Sequence, residues 1–429
     1  MRETTTESTN TFFDSRHILK RFRKKRKTVA KVNSKLTERR IWSTSASNVD
    51  ETYSTHRTAT EEIVAFTNYK YRHPVETSRL DARQKQPTLN SASAGIHDKL
   101  LLSYRLDLLA DIIYDGIYWS NSLEVIKPKG FTVEDDLSWI SFINTSKVVG
   151  VSEGCGRMQN RLILFDNKSR SCARHRQNTD QIQGELFSFQ LARILGIPNL
   201  VPSTVTFGKN ANWNKVRKEL QSAKWNDEKP VVLTKYIDDL IPAYIPTVFR
   251  SSRRRLHPVF EDIGSLNKSD LIELMQWSDL IIFDYLTANL DRVVNNLFNE
   301  QWNREMMKRP AHNLLRSRSS GLLLFIDNES GLLHGYRLLN EYETFHRSLL
   351  DSLCIFRKST ADSIESLHRN GNVSKLLKEA FYKNGVNYEK VAFLPESNIK
   401  MLKHRIATVY RQIELCKSLY APSTRTLLS

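Results

Sequence analysis

Residues 280–302 read LIIFDYLTANLDRVVNNLFNEQW, a long apolar run that delivers Asp291 at its end and Asn296 five positions later. That offset sets a carboxylate and an amide around one reacting centre, the first to orient a hydroxyl proton and the second to hold a cation beside phosphates. A second acid enters where the apolar run LLLFI delivers Asp327 at the start of DNE. A strand that ends in an Asp suits a hard oxygen ligand reaching towards nucleotide phosphates. Each acid also has an ordinary explanation: an Asp after a buried helix often caps it or pairs with an Arg, and Asp-Asn after a strand often makes a turn. The order of the other elements separates the two explanations.

The chain has 429 residues, 40% hydrophobic and 10% aromatic, enough to bury a full core in one bilobal domain or in two domains plus a tail. Its charge is +17, of which residues 1–95 carry +9 from 19 Lys/Arg against 10 Asp/Glu. Within that tail residues 20–27, KRFRKKRK, form a like-charge run that repels itself and stays solvated. A disordered basic tail is the simplest reading, with an import signal or a nucleic-acid-binding arm as the sharper one. No zinc-ligand spacing, RNA-binding aromatic motif or recognition-helix pattern accompanies the run, so no specific nucleic-acid partner is expected.

A basic run also flanks signal anchors on the cytoplasmic side. The chain shows no stretch of about 18–20 consecutive apolar residues, the length needed to span a bilayer. The best candidate, residues 100–119, carries Arg105, Asp107, Asp111 and Asp115 and reads as an amphipathic helix. The sequence as given thus has no recognisable signal peptide or transmembrane segment, which is either a property of the protein or the mark of an incomplete N-terminus.

There are four cysteines, Cys155, Cys172, Cys354 and Cys416. An even count fits two disulfides, with Cys155 and Cys172 flanking a hairpin-like stretch and Cys354 and Cys416 both in the C-terminal half. Four buried thiols in a reducing compartment would look the same. With no CxxC pair, a cysteine-based zinc site is not expected. Sequons at Asn144, Asn167, Asn267, Asn328 and Asn372 permit a secretory location without arguing for it.

The organisation divides into a basic tail over 1–95, an N-terminal helical extension over 96–147, a small lobe over 148–240 and a large helical lobe over 241–429. Helical character begins near Ile96 and runs through ADIIYDGIYWS, until Pro128 and Gly130 break it; this extension is expected to pack on the first lobe. From Val148 the texture changes to short strands, with RLILFD, a turn at Asp166-Asn167-Lys168 and SRSCARHR forming a hairpin. Asn178 caps the next helix, which carries Glu185 and stops at Gly196 and Pro198. A strand from Val231 closes the small lobe. Ser269 is a plausible cap for the buried helix that leads to Asp291. The 36 positions from Asp291 to Asp327 hold a basic, Ser-rich insertion near 316–320 that is expected to be mobile.

Hairpin, charged strand, helix with an acid, strand, buried helix, Asp-x4-Asn loop and strand with an Asp are the order of the protein-kinase fold, an α+β bilobal architecture. There a basic residue on the third strand pairs with a Glu on the small-lobe helix, which nominates Arg174 with Glu185. Arg176, two residues on, is a rival on the same face. An Arg in place of the usual Lys is a wider fork than a point ammonium and sits differently on phosphates.

With the segments placed, GCGRMQNRL from Gly154, QNTDQIQGELFSF from Gln177, LIIFDYLTANLDRVVNNLFNEQW from Leu280 and FIDNESGLLHGYR from Phe325 resemble the four-jointed family, Golgi kinases of the secretory pathway. The likeness extends from about Gly116 to Cys416. It implies an atypical Ser/Thr protein kinase that transfers the ATP γ-phosphate to extracellular cadherin domains of Fat- and Dachsous-like proteins, in planar cell polarity and growth signalling. It implies Asp291 as the catalytic-loop acid and Asp327 as the metal ligand, with Asn296 on the metal side. Glu185 would pair with Arg174 or reach the metal, which is Mn2+ or Mg2+. The turn at Gly154 and Gly156, with Arg174 and Arg176, would cover and contact the phosphates. The family also implies a Golgi-lumen location and an N-terminal membrane anchor. A catalytically inactive kinase-fold protein that grips cadherin domains is the alternative.

Overall fold

The structure, a computed structural model, describes residues 109–156 and 158–420. The basic tail expected over 1–95 and the helix start near Ile96 lie outside the described residues. The helix expected through residue 119 stops at residue 112, and a small antiparallel hairpin follows, β1 (Ile113–Tyr114) with β2 (Tyr118–Trp119). Asp115 and Gly116 between them take φ of 49° and 74°. Asp115-Gly116-Ile117 make a three-residue connection between the paired Tyr114 and Tyr118, and Asp-Gly suits its positive φ, so a local turn signal overrides the apolar periodicity around it.

Helix α1 (Asn121–Ile126) and helix α2 (Val133–Thr145) complete the extension, α2 opening on a capping box between Thr132 and Asp135. The extension packs on both lobes instead of on the first alone. Trp139 of α2 lies on the small-lobe sheet and donates its Nε1 to Leu233 O at 2.9 Å. Trp119 donates to Ser278 Oγ in the large lobe at 3.2 Å, and Glu124 of α1 pairs with Arg357 at 2.8 Å.

The small lobe is built from β3 (Val148–Glu153), β4 (Asn160–Phe165), β5 (Arg170–His175), helix α3 (Thr179–Ile194), β6 (Ser203–Phe207) and β7 (Pro230–Lys235). The strands form one antiparallel sheet in the order β3-β4-β5-β7-β6. The strand expected near Val231 closes the lobe by inserting between β5 and β6. Strand β6, buried along its whole length, shows no alternation and is silent in the sequence pattern. Alternation along β5 sorts its residues by face: Ala173 joins the outer core under α2, while Arg174 turns the other way, towards the large lobe. As expected, Asn178 caps α3, its Oδ1 accepting from Asp180 N at 3.1 Å.

The large lobe contains β8 (Leu240–Tyr244), helices α4 (Lys268–Thr287) and α5 (Val293–Glu300), strands β9 (Pro310–Ser317) and β10 (Leu323–Phe325), and helices α6 (Leu339–Leu350), α7 (Lys358–Asn370), α8 (Val373–Tyr382) and α9 (Glu396–Tyr420). Its main core gathers around α4, with Trp277, Leu280, Ile282 and Phe283 fully enclosed. The α4 cap is Asn267, which accepts from Asp270 N at 3.0 Å, and not Ser269 two positions later. The Arg/Ser-rich stretch expected to be mobile is part of a hairpin. Strand β9 pairs with β8 on one side and β10 on the other, Arg316 meets Glu273 at 3.2 Å, and Arg318 meets Asp239 at 3.0 Å. Helix α5 and this hairpin fill the long interval between the two acids.

Both cysteine pairings suggested by position are present, Cys155–Cys172 in the small lobe and Cys354–Cys416 joining the loop before α7 to α9. Among the described residues no helix is long and apolar enough to cross a membrane.

Candidate active site

The site grows out of four backbone segments that meet between the lobes: the β3–β4 turn, the end of β5, the loop after α4, and the turn after β10. Gly154 and Gly156 in the first take φ of 158° and 86°, and Cys155 between them has φ 62°. The disulfide from Cys155 to Cys172 fastens this turn to β5 on the face that carries Arg174, because Cys172 and Arg174 are two residues apart on one strand.

Asn160 carries the link onward. Its Nδ2 donates to Cys155 O at 2.7 Å and its Oδ1 accepts from Arg176 Nη2 at 2.7 Å. Arg176 in turn clasps Glu329 from two sides, Nε to Oε2 at 2.8 Å and Nη2 to Oε1 at 2.6 Å. Both partners are essentially excluded from solvent, Arg176 at 2% and Glu329 at 1% exposure. A guanidinium fork matched to both carboxylate oxygens is the strongest geometry available to such a pair, and in a dry setting neither charge tolerates losing the other. Of the two rival arginines, Arg176 thus makes the closer contact with Glu329.

Arg174 donates its Nη1 to Thr234 Oγ1 at 2.9 Å and holds its Nε 3.8 Å from Glu329. Glu185 on α3 accepts at Oε2 from the backbone N of Asn328. Burial raises the pKa of Glu185; Arg174 opposes this and the neighbouring Asp327 reinforces it. The direct bond of Glu185 is therefore to the turn that carries Asp327, while Arg174 acts on it through its charge. A cavity of about 10 Å³ lies here, lined by Arg174, Glu185, Thr234, Phe325 and Asn328 among others. It has room for about one water and forms the floor of the cleft.

Asp327 is 5% exposed and takes φ 53°, the left-handed region that costs a non-glycine residue about 1–3 kcal/mol and is held only when its surroundings enforce it. The enforcement comes from both flanks. Arg292, wholly buried, donates to Ile326 O at 3.1 Å and to Asn328 Oδ1, and also grips Asp284 of α4 and Asn313 O. Ser330 Oγ donates to Asn289 Oδ1 at 2.9 Å and accepts from Leu290 N at 3.3 Å. Asn289 Oδ1 also accepts from the backbone N of Asp291 at 3.0 Å. The segments bearing Asp291 and Asp327 are thus laced together before and after each acid.

Glycine at 184, next to Glu185, lets α3 lie against the backbone of the same turn: a Cβ there would fall 2.7 Å from Glu329 O and 2.9 Å from Gly331 O. Asn296 stands apart. It sits in the second turn of α5, fully buried, with its Nδ2 on Met306 O at 2.8 Å and its Oδ1 buried without a hydrogen-bond partner. An orphaned carbonyl oxygen of this kind fits a cation ligand, since a buried acceptor left unsatisfied is costly. Among the described residues no cluster of three or more His, Cys, Asp or Glu side chains is arranged to hold a metal. Two carboxylates and an amide would leave part of a cation's coordination to phosphate and water, as hard cations at phosphate sites commonly have it.

The structure therefore joins Arg174, Arg176, Glu185, Asp327 and the Gly154–Gly156 turn in one connected network and ties the Asp291 loop to it, whereas Asn296 bonds to the segment after α5. Sequence reasoning passed over Asn160, Asn289, Arg292, Glu329 and Ser330. Arg292 and Glu329 sit inside the motifs DRVVNN and DNE, and their position beside the acids was the available signal.

Strand order, the helix between β5 and β6, and a cleft with Asp327 on the turn after β10 define a bilobal protein-kinase-like fold of the α+β class. Residues 134–419 match the four-jointed box protein middle domain, and the chain belongs to that family. It is 42% identical over 361 residues to the extracellular serine/threonine protein kinase four-jointed of Drosophila melanogaster, covering 72% of this chain and 62% of that protein. The chain thus spans a little under two thirds of that relative's length. Four-jointed box protein 1 of Xiphophorus maculatus is 41% identical over 308 residues, 71% of this chain and 72% of its own, and the Homo sapiens protein 35% over 321 residues, 73% of each. Among solved structures, the Golgi casein kinase with Mn/ADP bound aligns at TM-score 0.47 and 13% identity over 80% of this chain and 93% of that one. The hydra Fam20 structure with sugar aligns at 0.42 and 14%, over 73% and 95%.

Proposed function

We propose that this chain is a metal-dependent Ser/Thr protein kinase of the secretory pathway that uses ATP, with extracellular cadherin domains of Fat- and Dachsous-like proteins as substrates. The observation that carries this reading is the lacing of the Asp291 and Asp327 segments to each other and, through Glu329 and Arg176, to the small-lobe strand. A two-lobed protein that fixes a hydroxyl-orienting acid and a cation-binding acid on interlocked segments supplies positioning and charge, which is nearly all that phosphoryl transfer asks of it.

In this reading Asp291 orients the acceptor hydroxyl and takes its proton. Asp327 and the orphan Oδ1 of Asn296 would hold the divalent cation, Mn2+ or Mg2+, with Glu185 beside them. The cation, when bound, supplies neutralisation of charge on the phosphates. The backbone of the Gly154–Gly156 turn covers the phosphates, with Arg174 behind it. Two disulfides suit folding in an oxidising lumen, in keeping with the extracellular designation of the Drosophila relative.

A second reading, an inactive cadherin-binding protein on the same fold, draws on one observation: the candidate phosphate cations are already engaged, Arg176 with Glu329 and Asn160, Arg174 with Thr234. Label transfer from γ-phosphate-labelled ATP to a cadherin fragment separates the two. Kinase action requires Mn2+- or Mg2+-dependent labelling that falls by about 10²–10⁴-fold in Asp291→Asn, the range for loss of a general base, and that vanishes in Asp327→Ala. Folded protein that binds the fragment but transfers no label in either metal establishes the binder instead.

A further inference from the structure

The chain that carries Asp291 leaves helix α4 through Ala288, whose φ of 51° and ψ of 43° turn the backbone out of the helix. Two consecutive amides of the loop are then held by side-chain oxygens. Leu290 N donates to Ser330 Oγ at 3.3 Å and Asp291 N donates to Asn289 Oδ1 at 3.0 Å. The two oxygens are joined in turn, because the Ser330 hydroxyl donates to Asn289 Oδ1 at 2.9 Å. An Asn that bonds to the backbone two residues on is a familiar turn device. Here the same oxygen also takes a hydroxyl from the Asp327 turn, 41 positions away in the chain.

The surroundings leave this clamp no slack. Leu332 N donates to Thr287 O at 2.6 Å, and Gly335 lies so close over Ala288 that a Cβ there would fall 2.0 Å from Ala288 O. Asn289 is wholly buried and Ser330 is 4% exposed. Water therefore has no access to replace either partner, and an amide freed from the clamp would stay unsatisfied.

The other half of the Asn289 amide shows what the residue is for. Its Nδ2 is buried and meets no acceptor, a net loss for a donor taken out of water. A carboxylate at 289 would offer the same oxygen without the idle donor. It would also set a second negative charge two residues from Asp291 and oppose the ionised form of that acid. An uncharged oxygen with a stranded NH2 group is the arrangement that favours the charge state of Asp291 over local stability.

We propose that Asn289 and Ser330 are positioning residues for phosphoryl transfer, their shared hydrogen bond setting how Asp291 leaves its loop and how far it stands from the Asp327 turn. This rests on the kinase reading for what Asp291 does. Both side chains are enclosed and act through the backbone of the two acid-bearing segments. Loss of the clamp displaces the acceptor-side acid, while the contacts of the small lobe with the nucleotide phosphates do not pass through it.

The test compares Asn289→Ala, Ser330→Ala, the double variant and Asn289→Asp in the full chain. Hydrogen exchange is followed in the peptide covering residues 286–292, with a peptide from α9 as the folding control, alongside label transfer from ATP to a cadherin fragment. Exchange at 290 and 291 should rise in each Ala variant while α9 stays protected. The kcat should fall by about 10–100-fold, the scale of a small misplacement of a reacting group, with KM for ATP within about twofold, since ground-state binding is untouched. The double variant should be no more than about twofold worse than the worse single one, because the two residues share one bond. Asn289→Asp, which keeps the oxygen, should restore protection; it and Ser330→Ala carry the comparison where Asn289→Ala fails the α9 control. Unchanged exchange in the Ala variants overturns the proposal, as do kcat effects that multiply in the double variant, or a KM for ATP that rises as far as kcat falls. A rise in exchange in a protein whose parent transfers no label in Mn2+ or Mg2+ keeps the clamp and removes the kinase reading.

Discussion

The two sides of the cleft are built on opposite terms. On the proposed phosphate side Asn160, Arg174, Arg176, Glu185, Asp327 and Glu329 are buried, and hydrogen bonds run from the Cys155 turn through Asn160 and Arg176 to Glu329, two residues after Asp327. On the proposed acceptor side Asp291 is half-buried, and beyond it lie the exposed Trp302 and an open groove between α5 and α6. A triphosphate is one invariant shape, and a rigid dry frame suits it because a pre-set donor array costs no reorganisation. A polypeptide substrate would arrive with variable side chains, and an open, partly solvated surface where Phe298, Trp302 and Tyr342 meet would accept more than one of them.

This contrast breaks most readily at the clasp. Arg176→Ala leaves Glu329 buried with only the longer contacts to Arg174 at 3.8 Å and Gln181 at 3.4 Å, and should lower unfolding free energy by about 3–5 kcal/mol in denaturant titration, with transfer activity lost. The double substitution Arg176→Leu with Glu329→Leu should recover most of that stability without recovering activity. Recovery of both would mean that the clasp only holds the fold and that the phosphate side is not pre-organised by it.

A comparable loss of stability is expected at the crosslinks. In the chain-entropy account, replacing both Cys354 and Cys416 by Ser, across a separation of 62 residues, removes about 4 kcal/mol, and the Cys155/Cys172 pair, across 17, about 3. Thermal unfolding ranks them on stability. The contrast is sharpened if the pair with the smaller effect on stability raises KM for ATP more, because it alone ties down the phosphate turn. The smallest change belongs to the acceptor side: Trp302→Ser should leave stability within about 0.5 kcal/mol, as exposed substitutions do, while raising KM for a protein substrate several-fold. A Trp302→Ser protein that melts early would show the exposed Trp302 to support the core through Phe298 instead of offering contact surface.

The sequence displayed the acids and the order of elements because both are written in local pattern: an apolar run that stops at Asp291, another that stops at Asp327, and alternation in RLILFD and SRSCARHR. What it concealed was pairing at a distance. Nothing local distinguishes Arg176 from Arg174, since both share a strand face, and only the approach of Glu329 from 153 positions away selects one of them. Strand β6 was hidden for a related reason, being buried on both faces and thus without alternation. The hairpin after residue 112 was hidden by the apolar residues around it, although its Asp-Gly turn was in plain view. Asn289 and Ser330 escaped because amides and hydroxyls that lace one loop to another carry no periodic signature.

Gly184 has a consequence for control. With no side chain there, α3 rests directly on the carbonyls of the Asp327 turn, and no room remains for a spacer of even one methyl. Kinases in which the equivalent helix swings outward can be idled by that motion. Here the helix touches the turn directly and is bonded to it at Glu185, so swinging it outward would break the Glu185–Asn328 bond and pull the Asp327 turn along or leave it unsupported.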